Sequence, residues 1–247
     1  MGGRPQISFV VPAFNEERLL PRCIAAIQAE MARTPCTAEL LVVDNASSDG
    51  TSAVALAAGA QLVFQPHRGL VQARKAGFEA ASGELIANID ADTVLPPGWL
   101  AHVIKEFDRD RHLVTLSGPY DYYDVAPHIR WSARLFYIFA FAMYLVNRHI
   151  LRVGSMVQGG NFVLRREALE QAGGFDERFS FYGEDTDIAR RMSQVGRVIF
   201  SWRLMAQSSG RRLNGDGLLM TGLRYSMNYL WTTFLRRPFT TAWTDYR

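Results

Sequence analysis

Apolar residues in this chain come in two rhythms, short continuous runs and longer stretches with apolar positions three or four apart. Ile7-Ser8-Phe9-Val10-Val11, Glu39-Leu40-Leu41-Val42-Val43, Gln61–Phe64 and Leu85-Ile86-Ala87-Asn88-Ile89 have the length and content of buried strands. Between them Leu20, Ile24, Ile27 and Met31 recur at helical spacing, and an Ala-rich helix follows turn and N-cap types as far as Ala58. Gly69–Ala81 is helical in character, with Leu70, Ala73, Ala76, Gly77 and Ala80 on one close-packing face, and Gly83 ends it. Strands alternating with helices in this way call for right-handed crossovers and a mainly parallel sheet, an α/β fold.

Beyond residue 95 the pattern loosens. Trp99–Phe107 predicts a helix, Leu113–Leu116 a strand, and Tyr120, Tyr122 and Tyr123 a loop lined by phenols. Arg130–Ile150 predicts a long helix, and Gly159-Gly160-Asn161-Phe162-Val163-Leu164 a returning strand. Gly173-Gly174-Phe175-Asp176 reads as a turn, and Glu184-Asp185-Thr186-Asp187 opens a helix continuing through Met192. Acid at a helix N-terminus also suits the macrodipole, so this cluster has a structural reading beside a chemical one.

Three strand ends, at Pro12, Asp44 and Asp90, would share one edge of the sheet, where open α/β folds bind ligands. Asp90-Ala91-Asp92 delivers two carboxylates one residue apart to that edge. Both can reach one hard cation, and Mg²⁺ or Mn²⁺ typically takes one or two protein carboxylates while substrate phosphates complete its shell. A polar turn after a strand would look the same in isolation.

Length and composition narrow the field. At 247 residues, 48% hydrophobic and 21% charged, the chain suits one large globular core, with no low-complexity run or internal repeat. The net charge of +3 is uneven, because residues 203–247 hold seven Arg against Asp216 and Asp245. That separates residues 1–202, with 1–95 and 96–202 as two halves, from a basic, amphipathic extension at 203–247 packed on the same domain. Cys23 and Cys36 read as reduced thiols, and the first apolar run is too short for a secretory signal; both favour the cytoplasm.

Taken together the stretches resemble the family 2 glycosyltransferases, inverting enzymes of the Rossmann-like GT-A fold. The resemblance rests on Val10-Val11-Pro12-Ala13-Phe14-Asn15-Glu16-Glu17, Val42 through Thr51, Asp90-Ala91-Asp92, and Gly159-Gly160-Asn161 through Gly173-Gly174-Phe175-Asp176 to Glu184-Asp185, in the family's order. It implies a UDP- or GDP-sugar donor, its base held by Pro12, Ala13, Phe14 and Asp44 with Glu16 close by. It also implies a metal at Asp90 and Asp92, with Ala91 between them, and Asp185 as the base beside Glu184. Asp44 could instead cap its own turn. Arg68 or Arg74 could offset diphosphate charge, although Lys75 stands where relatives often have Asn. Residues 203–215 lack the His that many relatives supply, so Arg211 or Arg212 is expected to contact the diphosphate. No Q-x-x-R-W pattern is present, which argues for transfer of a single sugar rather than a long polymer.

Acceptor and location are open at this point. Transfer to a hydroxyl of a lipid-linked or saccharide acceptor leads, transfer to polyprenyl phosphate is an alternative, and a catalytically silent nucleotide-sugar-binding protein is a third. The uncharged run Leu135–Val146 is shorter than the roughly 20 residues that cross a bilayer, so a core or interfacial helix is expected. In the tail Leu219, Leu223, Leu230 and Phe234 share a helical face beside Met227 and Trp231, with Arg224, Arg236 and Arg237 near. Core packing, a homodimer or peripheral membrane contact on the cytoplasmic face would each account for that face. No nucleic-acid-binding motif accompanies the arginines.

Overall fold

A computed structural model describes residues 4–151, 156–179, 181–237 and 239–240; the side chains of His149, Leu151, Asp216, Leu218 and Leu219 lie outside the description. The chain runs β1 (Ile7–Ala13), α1 (Leu20–Arg33), β2 (Ala38–Asp44), α2 (Thr51–Ala57), β3 (Gln61–Phe64), α3 (Leu70–Ala80), β4 (Leu85–Ile89), α4 (Trp99–Arg109), β5 (Leu113–Ser117) and β6 (Tyr120–Tyr122). It continues through α5 (Pro127–Val146), a π-helical turn (Asn147–Leu151), β7 (Asn161–Arg165), α6 (Arg166–Gln171), α7 (Glu184–Val195), β8 (Arg197–Phe200), β9 (Ala206–Ser208), α8 (Arg211–Asp216) and α9 (Leu218–Leu235).

Seven strands form one sheet in the order β3-β2-β1-β4-β7-β5-β8, and β6 pairs with β9 in a second, two-stranded sheet. The pairs among the first four strands are parallel, as the alternating pattern requires, and β8 runs parallel to β5. β7 is antiparallel to both its neighbours, β4 and β5. Every residue of β1 is buried and the sheet is covered on both sides, which is why its strands read as continuous apolar runs. Phe9, Val11, Val42, Ala87 and Ile89 face a core built with Leu20, Ile24, Ile27, Trp99 and Val103. Val10, Leu41, Val43 and Ile86 face the other, built with Val71, Ile188 and Met192.

Several boundaries differ from expectation for identifiable reasons. Pro12 does not end β1, because the ladder to β2 continues from Pro12 opposite Val43 to Ala13 opposite Asp44. Tyr120 and Tyr122 stand in a strand rather than a loop, since β9 arrives from far along the chain to pair with them. On α3 the buried face is Val71, Ala73, Arg74 and Gly77. A Cβ on Gly77 would meet Val10 Cγ1 at 2.3 Å, so glycine there sets how closely the helix lies on β1.

The helix expected from Arg130 starts at Pro127 and runs 20 residues, long and apolar enough by those two measures to cross a membrane. Its first turns are fastened to the fold instead: Arg130 Nε donates to Asp121 Oδ1 at 2.7 Å and Arg134 joins the same carboxylate. Tyr137 and Tyr144 are buried, yet Trp131, Leu135, Ile138 and Phe139 are each about 60% exposed. α9 is turned the same way. Among its described side chains Thr221, Asn228, Thr232 and Thr233 are buried, while Leu223, Leu230 and Phe234 point outward; Leu219 of the expected face lies outside the description, and the described part of that face is not core in the single chain. Gly222 lies against Phe136, and Asn147 donates to the Tyr229 hydroxyl, which sets α5 and α9 side by side.

Candidate active site

β4 brings Asp90 and Asp92 to the mouth of a cleft at the carboxyl edge of the sheet, and the antiparallel return of β7 sets Gly159-Gly160 against them. Ile89 pairs with Asn161, so the backbone N–H of Asp90 donates to the Gly160 carbonyl at 3.1 Å. Gly160 has φ +78°, and a Cβ there would lie 2.0 Å from the Asp90 carboxyl carbon. Only glycine both adopts this backbone without strain and leaves room for the acid. The neighbouring Gly159 N–H donates to Asp185 Oδ2 at 3.4 Å, so one dipeptide touches Asp90 on one side and Asp185 on the other. Tyr120 closes this arrangement, its hydroxyl donating to the Gly159 carbonyl at 3.1 Å.

Asn161 holds the floor. Its amide donates to the carbonyls of Gly118 and Leu204 at 3.0 and 2.8 Å and accepts from Trp99 Nε1 at 3.1 Å. Three separate segments are thereby tied to the end of β7, and all of these polar groups are buried and satisfied.

The charges divide into two clusters. In the first, Arg74 is buried in the cleft wall, ion-paired with Glu184 and, at 3.3 Å, with Asp90. Those acids hold its guanidinium charged against the cost of burial. Paired with two acids, Arg74 ties β4 to α7 while still lining the cleft in which a diphosphate was expected. In the second cluster Arg211, from the start of α8, donates to Glu16 Oε2 at 3.2 Å and to Asp92 Oδ2 at 3.1 Å. Ser208 donates to the other oxygen of Asp92 at 3.2 Å. Burial pushes the Asp92 carboxyl up to about 7, with Arg211 opposing and Asp90 and Glu16 adding to the rise.

Asp185 sits in the first turn of α7, half-buried and accepting from the Thr186 N–H at 2.7 Å. Burial raises its pKa, while these N–H groups and Arg74 pull the other way. A carboxylate with a raised pKa at a cleft is a stronger proton acceptor than an ordinary one.

The remaining expected residues sit at the rim or beyond it. Pro12 and Glu16 line the cleft with Ala91. Asp44 is buried, accepts from the Ser47 N–H at 2.9 Å and from the Ser52 hydroxyl, and so caps its own turn. Ala13 is buried at the end of β1, and Arg68 lies over the Phe14 ring at 4.2 Å. Arg212 does not join Arg211. It lies over the Phe181 ring at 4.3 Å and donates to the Tyr182 hydroxyl at 3.3 Å. Among the described residues no group of three His, Cys, Asp or Glu side chains gathers as a complete metal cage, so a cation here would draw ligands from substrate or water.

A profile of glycosyl transferase family 2 matches residues 8–173, two thirds of the chain. The chain belongs to glycosyl transferase family 2. An uncharacterised glycosyltransferase of Mycobacterium tuberculosis is 34% identical over 228 residues, covering 90% of this chain and 93% of that one. Among solved structures, a mannosyltransferase of Pyrobaculum calidifontis in complex with GDP-mannose and Mn²⁺ superposes with a TM-score of 0.67 at 20% identity, over 95% of this chain. The chain spans 64% of that enzyme's length. Glucosyl-3-phosphoglycerate synthase of M. tuberculosis, solved with Mn²⁺, UDP-glucose and phosphoglyceric acid, superposes at 0.63 with 21% identity, over 95% of this chain and 80% of that one. The shared architecture is the GT-A fold, and this family 2 glycosyltransferase has its mainly parallel sheet with a helical C-terminal extension.

Sequence reading did not assign a site role to Tyr120, Gln158, Phe181, Tyr182 or Tyr225, all of which line the cleft. Tyr120 was visible as one of three close tyrosines, but its hydroxyl reaches Gly159 only through the pairing of β6 with β9. Phe181 and Tyr182 stand immediately before Gly183-Glu184-Asp185, and that adjacency was the available signal.

Proposed function

We propose that this chain is a metal-dependent, inverting glycosyltransferase that moves a single sugar from a UDP- or GDP-sugar to a hydroxyl of a lipid-linked or saccharide acceptor. The observation that carries this reading is the convergence of Asp90 and Asp185 on the two faces of Gly159-Gly160, a cation-seeking acid and a base within one cleft.

The residues suit Mn²⁺ or Mg²⁺. Asp90 and Asp92 offer hard carboxylate oxygens, and Arg211 already lays positive charge between Asp92 and Glu16, so the place is built for a cation. When bound, the ion would neutralise charge accumulating on the departing diphosphate. Pro12, Ala13, Phe14 and Asp44 form the base side with Arg68 at the rim, and Arg211 is the nearest guanidinium for the diphosphate. The acceptor hydroxyl attacks the anomeric carbon opposite the leaving group, its proton passes to an Asp185 oxygen, and configuration inverts in one displacement. Glu184, held by Arg74, fixes the helix end that presents Asp185. The solved enzymes of this fold captured with Mn²⁺ and a nucleotide sugar support the donor class.

A lipid-linked acceptor is favoured by the face that α5 and α9 present together. Neither helix contains an acidic residue, and Arg236 and Arg237 stand exposed at the end of α9. A broad aromatic and aliphatic surface bordered by arginine complements an anionic bilayer, which supports a peripheral position on the cytoplasmic face. The same face leaves transfer to polyprenyl phosphate as the second reading. Calorimetry of UDP and GDP binding tests the core proposal: tight binding is expected only when Mn²⁺ or Mg²⁺ is present, and equal affinity with and without metal would contradict it.

A further inference from the structure

Arg211 and Arg212 are adjacent in sequence and opposite in circumstance. Arg211 is neutralised by two carboxylates, whereas Arg212 makes no ion pair with any carboxylate among the described residues. Its guanidinium is only partly exposed, one face lying over Phe181 and one N–H directed to the Tyr182 hydroxyl. A guanidinium carries five N–H donors, so most of its fork is uncommitted and faces the cleft it lines. Its nearest neighbours are phenols, with Asp90 the acid that bears on its charge from across the cleft. Tyr182 and Tyr225 pack edge to face with centroids 5.6 Å apart, and Tyr122 lines the same cleft. Burial raises the pKa of Tyr225 and Tyr122, so both stay neutral and able to donate.

The position of this group matters as much as its charge. Tyr182 lies three residues before Asp185, and Tyr225 and Thr221 bring α9 to the same wall. This wall is the acceptor side under the function proposed above, and Arg211 with Asp92 and Glu16 occupies the donor side. A partly buried guanidinium with no carboxylate partner among the described residues, set with hydrogen-bond donors on a rigid aromatic support, suits an anion, and the planar fork matches phosphate.

We propose that Arg212, with the hydroxyls of Tyr182 and Tyr225, forms a subsite for a phosphate group carried by the acceptor. It rests on the sugar-transfer reading of the cleft and adds the acceptor's charge to it. A phosphate held here can belong to a lipid head group arriving along α9 or to a small soluble phosphorylated acceptor.

The test uses the full chain saturated with UDP or GDP and Mg²⁺, so that nucleotide fills the donor side first. Glycerol 3-phosphate and a short isoprenyl phosphate are then titrated, each against its uncharged alcohol, by calorimetry or ligand-observed NMR. Wild type is expected to bind the phosphates and not the alcohols. Arg212→Gln should weaken phosphate binding roughly 10- to 100-fold, and Arg212→Lys less, because a point charge replaces the fork, while nucleotide affinity stays within about twofold. Tyr225→Phe should give a smaller loss of the same kind. Preference for the isoprenyl phosphate would assign the phosphate to a lipid, and equal binding to a soluble acceptor. Equal binding of phosphates and alcohols by wild type, no probe binding at all, or unchanged phosphate binding by a folded Arg212→Gln would overturn the subsite. So would a matching loss of nucleotide affinity in that variant, which would assign Arg212 to the donor diphosphate. Absence of metal-dependent nucleotide binding in wild type would instead remove the sugar-transfer reading on which the subsite rests.

Discussion

Gly160→Ala isolates the geometry that the account depends on. The backbone at this position has φ +78°, which costs an L-residue roughly 1–3 kcal/mol. The added methyl would stand 2.0 Å from both the carboxyl carbon and Oδ2 of Asp90, so that carboxylate must retreat by about 1 Å or more to reach ordinary contact. Metal coordination tolerates about 0.2 Å. The variant should therefore fold with stability lowered by about 1–3 kcal/mol and lose metal-coupled nucleotide affinity by about 10–100-fold, the scale of disturbed ligand orientation. Gly159→Ala is the control: its methyl would meet Glu184 and Asp185 at 3.4 and 3.5 Å, ordinary contact distances, and leaves Asp90 alone. Denaturant unfolding and calorimetry of UDP or GDP with Mn²⁺, on both variants, give the two readouts. Metal coupling kept within twofold by Gly160→Ala, or lost equally by Gly159→Ala, would refute the reasoning.

Two further outcomes follow from the charges. With the Asp92 carboxyl pushed up to about 7, a proton competes with the cation below that pH, so Mn²⁺ affinity in the presence of nucleotide should rise about tenfold per pH unit up to about 7 and level off above. Because the unfolded chain releases that proton near the ordinary value of 3.8, this group makes the metal-free protein less stable as pH rises from about 4 to about 7; thermal unfolding across that range, without metal, reads the sign. If the α5–α9 face rests on lipid, sedimentation with anionic vesicles should weaken with salt and on Arg236→Glu with Arg237→Glu. A concentration-dependent dimer with no vesicle binding would assign the face to a second copy instead.

Much of this was legible because strands buried on both faces write themselves as apolar runs. β1 to β4 and the acids at their ends could be read directly, and so could Glu184-Asp185 at a helix start. What escaped depended on contacts between distant segments. Tyr120 becomes a site residue only when β9 pairs with β6, and the pairing of Arg74 with Glu184 required α7 to fold over α3. The tail illustrates a different limit. Its leucine stripe was plain at helical spacing, but periodicity gives a face without giving its direction. Thr221, Asn228 and Thr232 turned out to be the buried side. Arg211 and Arg212 are neighbours on one short helix, and only their partners distinguish them.

The central claim, transfer to a hydroxyl with Asp185 as base, is tested most directly by Asp185→Asn. The substitution is nearly isosteric, keeps an oxygen to accept from the Thr186 N–H while giving up the longer bond from the Gly159 N–H, and removes the capacity to take a proton. With fold and metal-dependent nucleotide affinity unchanged, kcat for sugar transfer should fall by about two to four orders of magnitude, and the acid limb of the wild-type pH profile should disappear. Turnover within about threefold of wild type, at equal donor affinity, would contradict the assignment and make an acceptor that is already ionised, such as a polyprenyl phosphate, the better account.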